Sequence, residues 1–374
     1  RLMELGIQPH LVACRAQHEV GEKVREKIAM FTNVPMRRVF SMHDRRSIYT
    51  IPESMHTEGL DIEILSLLDL HSRVRPAEED KARRRWHDYV QLLTGRRRHA
   101  VRIGITGKYA ALRDAYASID KALEHCGAHL SADVNIHWID TTEMDESDAG
   151  RIAGELEQLD GVIVPGGFGV RGTEGKIACV QYCRENNTPY LGICLGFQMA
   201  VLEYARNVCG LGEAQSTEFE PDAEHAVIDI LPEQKKIEGL GGNMRLGGKE
   251  VELRSDTLAA FLFDNQSTVH GRFRHRFEVD PKYIDLLESN GLVFSGKHPE
   301  QPIMQILELP LSEHPYFIGA QFHPELTSRP LRPQPMFMGL VAAAIRRRYP
   351  DVPASEISER WLPLVHEQSE PATA

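Results

Sequence analysis

Two uninterrupted apolar runs, GVIV at 161–164 and YLGI at 190–193, each lead straight into a cluster of glycines. A strand that is apolar at every position must be covered on both faces, which is the situation of a parallel strand between helical layers. The neighbouring pattern agrees. VRIGIT (101–106) and DVNIHWID (133–140) read as further strands, and helical periodicity covers 113–127, 147–159, 174–186 and 196–208. Strands alternating with helices predict an α/β fold with a mostly parallel sheet flanked by helices. Within it, Gly127 is expected to end one helix and Ser147 to cap the next. HGRFRHRFEVD and YFIGAQFHPEL read as later strands.

The chain of 374 residues is long enough for two domains. Residues 1–75 read as part of an α/β domain. Its strands are QPHLVACR and VFSM; SIYTIPE reads as strand and loop, and EGLDIEILSLLDL as a helix. The helix over 21–34 carries Val24, Ile28 and Phe31 on one stripe. Residues 76–99 are expected to be a linker, 100–349 the second domain, and 350–374 a disordered tail. The first residues, RLMELGIQPH, contain no secretory apolar core and no initiator Met, so the chain reads as a fragment or a processed product. No apolar run is long enough to span a membrane.

Residues 1–99 hold 18 Lys and Arg against 14 Asp and Glu, whereas the whole chain has a formal charge of −11. The basic runs KARRRW and GRRRHA read as a solvated linker face, since acidic surroundings and a lack of interleaved aromatics argue against nucleic acid. Six cysteines at 14, 126, 179, 183, 194 and 209 include no CxxC pair. No metal site is expected from that spacing, and scattered cysteines suit a reducing cytoplasm.

Cys194 is different in kind. It lies between Gly192 and Gly196 in LGICLGFQ, where a strand hands over to a helix. A nucleophile on such a turn needs neighbours without side chains, and a helix N-terminus favours a thiolate. QFHPEL supplies a base, His323, and a carboxylate, Glu325, beyond another strand; alternation about Pro324 would let both face one side. Gly166 and Gly167 in PGGFG can present backbone N–H groups to an oxyanion. Structural alternatives exist for each feature alone: a buried cysteine, a surface histidine, a plain turn.

PGGFG, GICLGFQ and HPE in this order resemble the class I glutamine amidotransferase domain, of flavodoxin-like fold. The longer segments GKYAALRDAYASIDKALEH, VPGGFGVRGTEGKI, NNTPYLGICLGFQMAVLEYAR and RHRFEV resemble the CTP synthase family, and residues 1–75 resemble the end of its synthetase domain. The resemblance implies a Cys194–His323–Glu325 triad that releases ammonia from glutamine through a thioester. It implies glutamine contacts at Gly167, Leu195, Gly196, Phe197, Gln198, Glu218 and Arg276, although the motif alone does not prefer Arg276 over Arg272 or Arg274. Arg171, Gly172 and Glu174 fall where allosteric activation by GTP is placed; a salt bridge from Arg171 to Glu174 is the simpler alternative. Lys27 matches a UTP/CTP contact and Arg45 an ATP contact. For the full-length family the implied chemistry is ATP- and Mg2+-dependent amination of UTP in pyrimidine biosynthesis, with CTP as feedback inhibitor, in a cytoplasmic homotetramer.

An amidotransferase serving another synthetase, such as those for GMP or carbamoyl phosphate, would keep the triad without residues 1–75 or VRGTEG. A silent binding or filament-forming module would not need an intact triad. No GxxxxGK[ST] phosphate loop occurs in these residues. The 374-residue chain supplied with ATP, UTP, magnesium and ammonium salt is therefore expected to form no CTP, which chromatography of the nucleotides checks.

Overall fold

In the computed structural model, residues 3–107, 113–142, 144, 148–230 and 244–362 are described. They form two compact units, divided between Thr94 and Gly95.

In the first unit the parallel strands β1 (Val12–Ala16) and β2 (Val39–His43) pair in register from Val12–Val39 to Ala16–His43. Four helices accompany them: α1 (Glu22–Thr32), α2 (Ile51–Thr57), α3 (Leu60–Leu67) and α4 (Pro76–Thr94). The stripe expected to be buried on α1 faces solvent, with Val24 51% and Phe31 77% exposed. IPE of SIYTIPE opens helix α2 in place of the expected loop, helped by Pro52 in the first helical turn, where its missing N–H costs nothing. The expected linker is mostly the 19-residue helix α4. Trp86 and Tyr89 anchor it: the Trp86 indole donates to Tyr49 O at 2.9 Å, and the Tyr49 and Tyr89 rings meet edge to face. Lys81, Arg84 and Arg85 are exposed, whereas Arg83 reaches the His56 ring at 2.8 Å, so most of the charge run is the wet surface of the helix.

The second unit is built on a sheet ordered β10-β9-β12-β13-β14-β6-β5-β3-β4. Its strands are β3 (His99–Thr106), β4 (Ala132–Ile139), β5 (Gly161–Val164), β6 (Tyr190–Ile193), β9 (Arg245–Leu253), β10 (Thr268–His275), β12 (Val293–Lys297), β13 (Met304–Glu308) and β14 (Phe317–Ala320). From β14 to β4 every pairing is parallel. From β10 to β14 every pairing is antiparallel. β7 (Ala214–Ser216), β8 (His225–Asp229) and β11 (Glu278–Val279) make a small separate sheet, so HGRFRHRFEVD is two strands in two sheets.

The helices are α5 (Ala117–His129), α6 (Ala149–Leu156), α7 (Thr173–Glu185), α8 (Leu195–Asn207), α9 (Leu258–Leu262), α10 (Ile284–Ser289), α11 (Pro335–Arg348) and α12 (Ala354–Ile357). α5, α9 and α11 join one apolar core; α6, α7 and α8 join the other. Gly127 does not end α5. It lies within the helix, where a Cβ would stand 2.6 Å from Ala132 O, so the glycine lets helix and strand close on each other. Ser147 lies outside the described residues, and Asp148 holds the N-cap position of α6 without a side-chain cap. Within the segment expected to be a disordered tail, residues 350–362 are ordered: α12 packs there, Arg360 pairs with Asp264 at 2.7 Å, and Leu362 is buried.

Helices α7 and α8, which flank the cysteine turn, are tied by a buried ion pair. Arg184 reaches both oxygens of the fully buried Glu203, at 2.7–3.0 Å, and Asn207 adds a third donor at 3.1 Å. Removing one member leaves an uncompensated charge in the core. Arg184→Met is expected to lower stability by about 3–5 kcal/mol, and the double variant Arg184→Met/Glu203→Leu by less. Urea midpoints of the single and double variants check this.

Candidate active site

Strands β5, β6 and β14 are parallel neighbours, so their carboxyl ends release three loops on one side. In an open α/β sheet that edge is where ligands bind. The loops carry PGGFG, Cys194 and His323 respectively.

Cys194 occupies φ 52°, ψ −96°, a left-handed conformation unusual for a residue with a side chain. Two contacts hold it there. Its N–H donates to Ala320 O at 2.7 Å, and the next turn of chain is pressed against β5. A Cβ on Gly196 would fall 1.9 Å from Val164 O, and one on Gly192 would fall 2.8 Å from the Gly196 carbonyl. The glycines are thus required by close approach of backbone to backbone. The sulfur sits at the N-terminus of α8, and Cys194 is only 3% exposed.

β14 stops at Ala320, so His323 and Glu325 do not share an extended strand. His323 precedes a 3-10 turn, Pro324–Thr327, and that turn brings Glu325 Oε1 to 2.7 Å from His323 Nδ1. The His323 backbone N–H donates to Arg272 O at 2.8 Å, which anchors the main chain at His323 to β10. Burial alone would lower the imidazole pKa. Hydrogen bonds to Cys194 and Glu325, with their charges, outweigh it and push His323 up to about 10. The upward shift comes from the ring's two partners, so the setting between Glu325 and the Cys194 side chain favours the imidazolium. Gly166 packs on the pair: its Cβ position lies 2.8 Å from His323 Cε1 and 3.5 Å from Cys194 Cβ. Gly167 adjoins Leu195 and the Lys176 ammonium.

The remaining positions fall at various distances from this centre. Leu195, Gly196, Phe197 and Gln198 form the buried first turn of α8. The Gln198 side chain donates to Phe277 O and to Gln321 Oε1, both at 3.1 Å. Glu218 accepts from the Gly169 N–H at 2.8 Å, so it reaches the PGGFG loop. The alternation of β10 turns Arg272 and Arg274 outward to solvent. Arg276, beyond the strand end, is half-buried and its Nε is buried without a partner. Glu174 pairs with Arg206 at 2.7 Å, not with Arg171, which is exposed. Gly172 precedes α7 at φ 77°. In the first unit Lys27 is exposed on α1, and Arg45 lines a cavity of about 310 Å³ with Arg15, Asp44 and Phe40. Among the described residues no group of three His, Cys, Asp or Glu is placed to hold a metal, and no helix is long and apolar enough to cross a membrane.

Sequence reasoning missed three buried groups behind the site. Gln321, fully buried, places its amide nitrogen 3.7 Å from Cys194 Sγ. Glu278, fully buried, lies 3.3 Å from the Arg245 guanidinium with neither oxygen hydrogen-bonded, and His275 adjoins it at 3.7 Å. Only the alternation of FRHRFEV hinted that His275 points inward.

The family model for class I glutamine amidotransferases matches residues 111–343, and that for the CTP synthase N-terminus matches residues 1–70. A CTP synthase of Natronomonas pharaonis is 49% identical over 340 residues, covering 91% of this chain and 59% of its own. One of Rubrobacter xylanophilus is 46% identical, covering 92% and 60%. The chain thus spans about three-fifths of the length of the curated relatives it matches. Among solved structures, the glutaminase domain of Trypanosoma brucei CTPS with bound acivicin superposes at a TM-score of 0.62 with 34% identity, covering 70% of this chain and 98% of that one.

Burial, only partly opposed by Arg245, raises the Glu278 carboxyl from 4.5 to about 8. The folded pKa of this acid lies above its unfolded value, so its contribution to stability is complete below about 4.5 and is lost as pH rises through about 8. Glu278→Gln, which cannot ionise, is expected to gain stability relative to the parent progressively as pH rises from about 4.5, in full above about 8, with the gain vanishing below about 4.5. Denaturant titrations at pH 4 and pH 9 check this.

Proposed function

The chain belongs to the CTP synthase family, and from that premise we propose that its second unit hydrolyses glutamine to glutamate and ammonia. The reading is supported above all by one observation: a strained, buried Cys194 at a helix N-terminus beside a histidine held at 2.7 Å by a carboxylate.

In this reading the Cys194 sulfur attacks the side-chain amide carbon of glutamine. The tetrahedral oxyanion is received by backbone N–H groups at Gly167 and Leu195, on either side of the sulfur. His323 gives its proton to the departing nitrogen, the C–N bond breaks, and a thioester remains. Water then adds to the thioester; His323 takes the water's proton, and glutamate leaves as the C–S bond breaks. Glu325 keeps the ring oriented throughout. Arg276, whose buried Nε lacks a partner, binds the substrate α-carboxylate, and Glu218 its ammonium. Gly166 contributes by having no side chain that would push against His323.

For the parent enzyme the family implies that the ammonia aminates UTP to CTP at the expense of ATP and Mg2+, with GTP as activator and CTP as inhibitor. The residues of this chain that would reach those nucleotides are Lys27 and Arg45, with Arg171, Gly172 and Glu174 for GTP. Arg45 borders a cavity that already holds the Arg15–Asp44 ion pair, a polar wall suited to a nucleotide edge. When bound, ATP and Mg2+ supply phosphoryl activation of the uracil oxygen; the chain's two cations orient and neutralise phosphates. Assembly as a homotetramer in the cytoplasm belongs to the same proposal.

A diazoketone analogue of glutamine is expected to label Cys194 and stop ammonia release. Cys194→Ala should abolish glutaminase turnover, and His323→Ala should reduce it by about 10²–10⁴-fold. Arg276→Met should raise KM for glutamine more than it lowers kcat. Steady-state glutamate formation with peptide mapping tests all three, and a fully active Cys194→Ala protein would end the assignment.

A further inference from the structure

Two buried carboxamides stand behind the triad: Gln198, 3% exposed and among the glutamine contacts the resemblance implies, and Gln321, fully buried and with no part in the chemistry above. Their orientations are not free. The Phe277 carbonyl can only accept, so the Gln198 atom 3.1 Å from it must be the amide nitrogen. That nitrogen's second N–H lies 3.1 Å from the Gln321 amide, which must therefore present its oxygen. Gln321 is then obliged to turn its NH2 toward Cys194, 3.4 Å from the carbonyl oxygen and 3.7 Å from Sγ. His275 Nδ1, 3.1 Å from Phe277 O, leaves that carbonyl engaged from a second side.

We propose that Gln321 is a positioning residue for the nucleophile, an N–H donor to the Cys194 sulfur whose polarity is set, through Gln198, by the Phe277 carbonyl. An N–H directed at sulfur favours negative charge there and holds the side chain in one rotamer, on a flank distinct from His323. A Gln321 amide turned the other way would set an oxygen against the sulfur and repel that charge. The relay starts one residue from Arg276, so the group that reads the substrate carboxylate and the group that holds the sulfur share one buried chain of hydrogen bonds. The proposal rests on Cys194 being the nucleophile.

The test uses Gln321→Met, Gln198→Met and the double variant in the full chain. Alkylation of Cys194 by iodoacetamide at pH 7 is followed by peptide mass, alongside kcat and KM for glutamine. Each single variant is expected to slow alkylation and kcat by about tenfold, the scale of one hydrogen bond to a charged group, with KM for Gln321→Met within about twofold. The double variant is expected to be no slower than the slower single, because both break one relay. Parent-rate alkylation in folded Gln321→Met, a loss confined to KM, or losses that multiply in the double variant would overturn the proposal. If Gln321→Met does not fold, Gln198→Met decides: it leaves Gln321 in place and removes only what orients it, so parent-rate alkylation there is equally fatal. If the parent itself releases no glutamate, the glutaminase reading fails on its own, while the alkylation rates still decide the relay.

Discussion

The contact on which the site depends is between two pieces of backbone. Gly196 lies so near Val164 O that no Cβ fits between them. This approach forces the chain to turn immediately after β6, places Cys194 in left-handed backbone, and aims its sulfur across the sheet edge toward the loop after β14. Helix α8 then follows without a spacer, so its N-terminal N–H groups lie around the sulfur. Strain at the cysteine is sustained because strand pairing on both sides of β6 and a tightly packed helix over-determine the turn.

Electrostatics in this region are arranged by burial as much as by pairing. His323 and Glu325 are mostly withdrawn from water, and their mutual hydrogen bond is correspondingly strong. Behind them a second layer behaves in the opposite sense. Burial lowers His275 to about 3 and raises Glu278 to about 8, so both are neutral near pH 7 although they neighbour charged groups. The site thus presents charge at the His323 imidazole and keeps the groups behind it uncharged, which limits competing fields near the sulfur. The three other buried cysteines, Cys126, Cys179 and Cys183, are pushed above the usual thiol range by the same desolvation.

The cysteine turn was legible in sequence because glycine spacing records backbone geometry directly: Gly192, Gly196 and Gly166 each mark a place where a side chain would collide. The His323–Glu325 pair was legible for its residue types, but not for its geometry. A 3-10 turn, not a continued strand, makes the contact, and Pro324 is the residue that starts it. α4 read as a linker because its charges outnumber its anchors, yet Trp86 and Tyr89 at a three-residue spacing suffice to dock it. Gln321 left no sign, because a carboxamide acquires a role only from the partners that fix its direction, and those come from residues 198 and 277. Strand alternation and the end of β10 separate the exposed Arg272 and Arg274 from Arg276 with its buried Nε, a distinction the motif did not carry.

The glycines of the site divide into two kinds, with a consequence for inherited variation. At Gly196 the obstacle is a main-chain oxygen that cannot step aside, so every missense change there should act as a null allele regardless of which amino acid it introduces. At Gly169, φ +77° with open space around the Cβ position, the obstacle is conformational only. Asparagine and aspartate, which tolerate that backbone, should pass as mild alleles, whereas valine and isoleucine should not. Two glycine codons in one gene would thus show opposite allelic spectra, one uniformly severe and the other graded by side-chain shape.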